Sequence, residues 1–298
     1  MESTGYDKRG VPLINAWAAL KYVEWTTGGT YTWDVPADLQ QGGVVEVDAA
    51  AGGGGGGGGF SAGGGGGGGS GSEWCEDMRL FIPIGATQLT IEVGAGGVGG
   101  AGGGAPIAGS DGGWTKIKYG SVELLALNYG RGGAAGAAAL PGAGASSHFP
   151  WAIGGGAAAA NANGGEPNLT NAHKANFTDG RWTRGQIYPS LPAGAGTFAT
   201  SASWRSSRLF NVMYNQFQIT TPSTLAHSAT DTGLGGACSV GYVPKNVGGL
   251  ALPFQSNFSA PTAADSRLYG CGGRGGRAAG STGFAGMDGL PGFVRLVY

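Results

Sequence analysis

Short stretches of alternating apolar and polar residues punctuate this chain. Residues 31–35 (YTWDV) alternate and stop at Pro36, and 44–48 (VVEVD) resume after the turn-like 37–43. The same succession returns at 80–82 (LFI), which stops at Pro83, and at 89–93 (LTIEV). A period of two sends successive side chains to opposite faces, which is the signature of a half-buried strand. Residues 114–119 (WTKIKY) and 122–127 (VELLAL) flank Gly120 and Ser121, a two-residue loop of the hairpin type. Residues 293–298 (FVRLVY) form a further β segment, and a strand so late in the chain predicts closure of a sheet begun early. One short helix is predicted, over residues 15–24 within VPLINAWAALKYVEW, with Thr26, Thr27, Gly28 and Gly29 ending it.

Beyond these strands the chain turns to glycine. Residues 52–59 and 63–69 are unbroken glycine, parted only by Phe60, Ser61 and Ala62. Val45-Glu46-Val47 and Ile91-Glu92-Val93 both lead almost directly into Gly/Ala sequence, so strand, proline turn, strand and glycine run make an internal repeat. Glycine loses more backbone freedom on folding than any other residue, and an isolated run is ordinarily a flexible linker. A helix is excluded at about 1 kcal/mol per glycine, and a strand without side chains packs poorly. One ordered state survives: the threefold extended polyproline II helix, whose N–H and C=O groups point sideways. Such helices can bond one another only when packed side by side, which requires partner runs. They are present at 94–104, 130–144, 154–156 and 270–289. At ~3.1 Å per residue, 52–59 would span roughly 25 Å. The pattern therefore predicts a mainly β fold with little α-helix, in which a small antiparallel sheet or sandwich frames a packed lattice of polyglycine II helices. A linker between domains is the competing reading.

Composition narrows the function classes. Glycine accounts for 66 of 298 residues, roughly three times its usual ~7% share. Charged residues are 12%, about half the usual ~25%, and the net charge of −1 offers no basic footprint for nucleic acid. Low charge with eight Trp, ten Tyr and eleven Phe is not the composition of a disordered chain, and it suits a part of a larger assembly. MESTGYDKRG holds no apolar core of a secretory signal, and no run of 18 apolar residues predicts a membrane span. Cys75, Cys238 and Cys271 show no metal spacing and read as reduced structural thiols, with a Cys238–Cys271 disulfide as the alternative.

Motifs for chemistry are sparse. His148, His173 and His227 stand far apart, without HxxxH or HExxH spacing. No GxSxG elbow or GxxxxGK[ST] loop occurs, and GxGxxG matches arise by chance in so much glycine. Glu73, Glu76 and Asp77 form the only tight acid cluster. Paired carboxylates could serve a glycosidase, but a solvated turn after the glycine block is the favoured reading. No catalytic residue, metal ligand or cofactor is assigned. Residues 157–265 differ from the rest: glycine thins while Asn, Ser, Thr, Arg and aromatics rise. They read either as a second small β unit with loops or as a recognition surface for a polar ligand. In the second case Trp182, Arg184, Tyr188, Trp204, Arg205 and Tyr214 supply stacking and hydrogen bonds. Residues 1–29 read as a packed cap or as an attachment segment, in which Trp17, Tyr22 and Trp25 would make the contact.

Four stretches carry a family resemblance: VVEV with the glycines after it, IPIGATQLTIEVGAGGVGGAGGG, GGWTKI and the terminal PGFVRLVY. They resemble the glycine-rich domains of bacteriophage tail fibres and tail-tip adhesins, over roughly residues 30–145 and 270–298. The resemblance implies packed polyglycine II helices with receptor contact through the segments between them. The chain divides into a 1–29 attachment segment, a 30–156 glycine-rich β domain, a 157–265 aromatic and polar insertion and a 266–298 glycine-rich return with the closing strand, and the resemblance makes 157–265 the receptor-facing section. One long variable section and an N-terminal segment of its own depart from the adhesin pattern and favour a broader assignment, a virion surface protein. The implied function is a structural virion protein of the tail fibre or tail tip that serves host attachment, or alternatively a capsid decoration or head-fibre protein. Implied partners are other virion proteins, a host-surface glycan or protein, and further copies of the chain, with a trimer guessed. Neither nucleic acid nor membrane insertion is expected. A glycan-degrading enzyme and a flexible linker protein are the contrasting classes.

Overall fold

A computed structural model describes residues 21–146, apart from 62 and 139, and residues 269–298. Short pieces between and before them are also described, at 5–6, 12–13, 152–153, 168–169, 187–188, 193 and 231–233. The described residues are mainly β and contain no helix. The principal strands are β1 (Tyr22–Trp25), β2 (Gly29–Asp34), β3 (Val44–Ala50), β4 (Trp74–Phe81), β5 (Gln88–Val93), β6 (Thr115–Tyr119), β7 (Val122–Leu127) and β8 (Phe293–Val297).

They form two antiparallel sheets. One has the order Ile187–Tyr188, β4, β3, β8, β1, and the other β2, β5, β6, β7. The alternation read from the sequence is what builds the core. Val45, Val47, Leu80, Val294 and Leu296 of the first sheet share one buried cluster with Trp33, Leu89, Ile91, Ile117, Leu125 and Leu127 of the second. Each proline-turn repeat crosses between the sheets. The unit through Pro36 links β2 to β3, and the unit through Pro83 links β4 to β5, so the two cross in opposite senses. The closing strand behaves as predicted, with β8 lying between β3 and β1 and pairing with both. The β6–β7 hairpin turns at Gly120, whose φ of 57° is in the left-handed region that favours glycine.

Two expectations need correction. Residues 22–24, the end of the helix predicted over 15–24, are strand; residues 15–20 lie outside the described residues. Tyr-Val-Glu-Trp alternates exposed and half-buried positions, and β8 offers it a full ladder from Val294 opposite Trp25 to Val297 opposite Tyr22. A local helical pattern lost to that non-local pairing. The acid cluster is not a solvated turn either. Glu73 is buried just before β4, while Glu76 and Asp77 lie within it. Asp77 holds φ at 51° in an irregularity of the β3–β4 ladder, and its N–H donates to Asp48 Oδ1 at 2.8 Å.

The glycine runs leave from the ends of these strands and exchange main-chain hydrogen bonds with one another. Residues 52–59 are buried throughout and lie at the centre of six other runs. Three run alongside in the same direction and donate to the carbonyls of the centre. Gly97 and Gly100 donate to Gly53 and Gly56; Gly130, Gly133 and Gly136 to Gly52, Gly55 and Gly58; Gly273 and Gly276 to Gly54 and Gly57. Three run the other way and accept from it. Gly52, Gly55 and Gly58 donate to Gly113, Ser110 and Ile107; Gly53, Gly56 and Gly59 to Leu290, Met287 and Phe284; Gly54 and Gly57 to Ser70 and Gly67. Every partner set recurs at intervals of three residues, so the groups of the central run point in turn toward all six neighbours.

The six runs also bond to one another in a closed ring. Around it come 94–103, 284–290, 270–277, 64–70, 130–137 and 107–113, joined for example by Gly289 to Gly97, Met287 to Arg274, Gly69 to Gly273, Ser70 to Arg131, Gly109 to Gly133, and Ser110 to Val98. Parallel and antiparallel runs alternate around the ring. Buried main-chain groups require such partners, and here the neighbouring runs supply them.

Candidate functional site

Among the described residues, no group of three His, Cys, Asp or Glu could hold a metal ion. The chemistry that the fold does position is at the junction where strands become glycine runs. There the ladder of a sheet must hand its main-chain groups to a network of a different period, and buried side chains fill the gaps. Thr115, fully buried, accepts from Gly94 N–H at 3.0 Å and donates to the Ala50 carbonyl at 2.9 Å, tying β6 to the exits of β3 and β5. Ser72 Oγ donates to the Ala51 carbonyl at 2.7 Å, and Ser70 Oγ accepts from Arg131 N–H at 2.7 Å. The buried Glu73 carboxylate accepts from Asn128 N–H at 2.8 Å, where β7 runs out toward Gly130.

A second set closes the outer edge of the ring. Ser110 Oγ accepts from Val98 N–H at 2.7 Å, Asp288 Oδ1 from Gly99 N–H at 2.7 Å, and Asp111 Oδ1 from Gly132 N–H at 2.9 Å. These N–H groups face away from the centre, and the side chains of adjacent runs occupy them. The sequence signals this weakly, as single polar residues scattered among glycines, and no spacing rule would have picked them out in advance.

The thiols are structural in setting. Cys75 and Cys271 are both buried. Burial, with Asp48 adding to it, pushes the Cys75 thiol up to about 12, so it stays protonated across the neutral range. Cys238 lies outside the described residues. Burial likewise raises the Tyr269 phenol, which stacks on Phe293 with ring centroids 4.6 Å apart.

Of the candidate receptor-binding residues, Trp182, Arg184, Trp204, Arg205 and Tyr214 lie outside the described residues. Tyr188 is described only through its backbone, which pairs with Trp74 on the free edge of β4. Among the candidate attachment residues, Trp17 is likewise outside. Tyr22 and Trp25 are both on edge strand β1. Tyr22 is 65% exposed beneath the Arg295 guanidinium, whereas Trp25 is half-buried against Tyr31. At the same end of the sandwich, away from the glycine runs, Phe81 and Ile84 are 71% and 79% exposed. The sequence reading missed both, because a lone apolar residue beside a turn carries no distinguishing pattern.

The pattern of a family described as a glycine-rich domain matches residues 26–298. The chain belongs to this glycine-rich domain family. The match begins just after β1, at residue 26, and runs through residue 298, so the glycine-rich domain takes in β2 to β8 and the glycine runs. Comparison with curated proteins finds no match to this glycine-rich domain protein.

Proposed function

We propose that the chain is a structural protein of a bacteriophage particle, a component of the tail fibre or tail tip that presents a surface for host attachment. Its glycine runs are polyglycine II helices, and their lattice is the rigid body of the domain. The observation that carries this reading is the closed ring of six mutually bonded runs around 52–59. Its period of three matches the threefold helix, and no flexible linker would keep such a network. The low charge of the chain suits a passive scaffold, and display in many copies supplies avidity.

In this reading residues 1–29 attach the chain to other virion proteins, with Trp17, Tyr22 and Trp25 at the contact. Residues 157–265 face a host glycan or protein, through Trp182, Arg184, Tyr188, Trp204, Arg205 and Tyr214. The protein has no enzymatic role and assembles with further copies of itself. The test is to label the chain on purified particles that carry it and to measure whether free protein competes with those particles for host cells. Label at the tail with competition supports the proposal. Label on the capsid supports a decoration or head-fibre role instead. Absence from the particle refutes both.

A further inference from the structure

The glycine network has an outer edge, and that edge poses the problem of an edge strand. Main-chain groups pointing outward are a template on which another chain can pair. The cross-section shows how growth stops. In the run 94–103, two residues of every three must be glycine. A Cβ on Gly96 would lie 2.0 Å from the Gly289 carbonyl oxygen, and on Gly99 2.2 Å from that of Gly286. On Gly97 and Gly100 it would lie 2.1 and 2.0 Å from the carbonyl oxygens of Ser110 and Ile107. The third position carries Ala95, Val98 and Ala101, all exposed, with Val98 at 64%. The run 130–137 repeats the arrangement with Arg131 and Ala134 exposed. In the central run, by contrast, all positions are glycine and all are buried.

We propose that these outward side chains, with the caps from Ser110 and Asp288, set the width of the lattice. Without them the 94–103 face becomes a docking surface for a glycine run of a second copy of this chain. A Cβ at every third residue holds an incoming backbone beyond hydrogen-bond distance. The Ser110 hydroxyl and Asp288 carboxylate meanwhile occupy the N–H groups of Val98 and Gly99. The two devices act on the same face from different residues. This inference rests on the proposed lattice.

The test uses full-length protein carrying Ala95→Gly, Val98→Gly and Ala101→Gly together with Ser110→Ala and Asp288→Ala, so that both devices are removed. Sedimentation velocity over a concentration series should show association at least about tenfold tighter than wild type, about 1.4 kcal/mol. Restoring only a long side chain, as Val98→Lys in the same background, should abolish the gain. A folded combined variant that associates no more than wild type overturns the proposal. So does a wild-type oligomer that Val98→Lys alone dissolves, because the face would then already be an interface. Should the combined variant fail to fold, Val98→Gly with Ser110→Ala and Asp288→Ala provides the second arm, clearing both devices at the centre of the face, with enhanced association expected and unchanged association overturning the proposal. Gly56→Ala separates this idea from the lattice itself. If that change is tolerated, the lattice reading fails; if it destabilises while the edge variants do not associate, only the edge proposal fails.

Discussion

Replacing Gly56 by alanine adds one methyl group at the centre of the glycine network, and the structure fixes what that group meets. Its Cβ would lie 1.9 Å from the Arg274 carbonyl oxygen and 2.2 Å from the carbonyl carbon. Ordinary contact begins near 3.4 Å, so the run carrying Arg274 must retreat by roughly 1.5 Å. Side chains elsewhere can rotate away from a new methyl, but here the obstacle is backbone, held in place by its own bonds to Gly54, Gly57 and Met287. Gly56 itself holds two main-chain bonds, donating to Met287 and accepting from Gly100, both at 2.8 Å. Leaving such buried groups poorly paired costs ~1–3 kcal/mol each. Against this, alanine stiffens the unfolded chain, a gain of ~0.4–1 kcal/mol. The net expectation is a loss of about 1–5 kcal/mol, a sizeable part of the ~5–15 kcal/mol that stabilises an ordinary domain. The control is Gly104→Ala, where a Cβ meets nothing within 4 Å. Urea denaturation of the two variants beside wild type measures the difference. If both midpoints fall within ~0.5 kcal/mol of wild type, the central run is not packed as described and the reasoning is refuted.

Other consequences are equally specific. Thr115→Val should cost about 2–3 kcal/mol in the same assay, because Gly94 N–H and the Ala50 carbonyl both lose a buried partner; Thr115→Ser should recover most of it. Asp77→Gly should be neutral or stabilising at a φ of 51°, whereas Asp77→Val should cost at least ~1 kcal/mol; equal melting temperatures for the two variants would contradict this. The Cys75 thiol should resist alkylation near pH 8 until the protein unfolds, and its linkage has a definite sign. The native state keeps a proton to about 12 that the unfolded thiol releases from its ordinary value of 9.0, so this group lowers stability as pH rises through that window and leaves it unchanged below. Replacing Cys75 with alanine should flatten that part of the stability–pH curve.

The strands were legible in the sequence because their signal is local. Alternation of Val44 to Val47 and of Leu89 to Val93 follows directly from having one buried face. The glycine blocks announced only that an ordered state would need partners. Which run bonds which depends on strand order, and strand order is non-local: β8 inserts between β3 and β1, and that brings 284–290 beside 94–103. The same non-locality explains the failed helix, since nothing near Tyr22 reveals that β8 will lie beside it. Glu73 was unreadable for a different reason. Its role is to meet one N–H at Asn128, and a single carboxylate beside a glycine run looks the same whether it is solvated or buried. The attachment and receptor-facing readings rest on composition in segments that lie largely outside the described residues.

The most direct test of the central claim is hydrogen–deuterium exchange in the full-length native protein, followed on peptides covering 52–69. A run whose N–H groups and carbonyls bond to six surrounding runs of the same chain should exchange as slowly as β3 and β8, only when the whole domain opens. Exchange at the rate of an unstructured glycine chain, while those strands stay protected, would show that the runs are not bonded to one another.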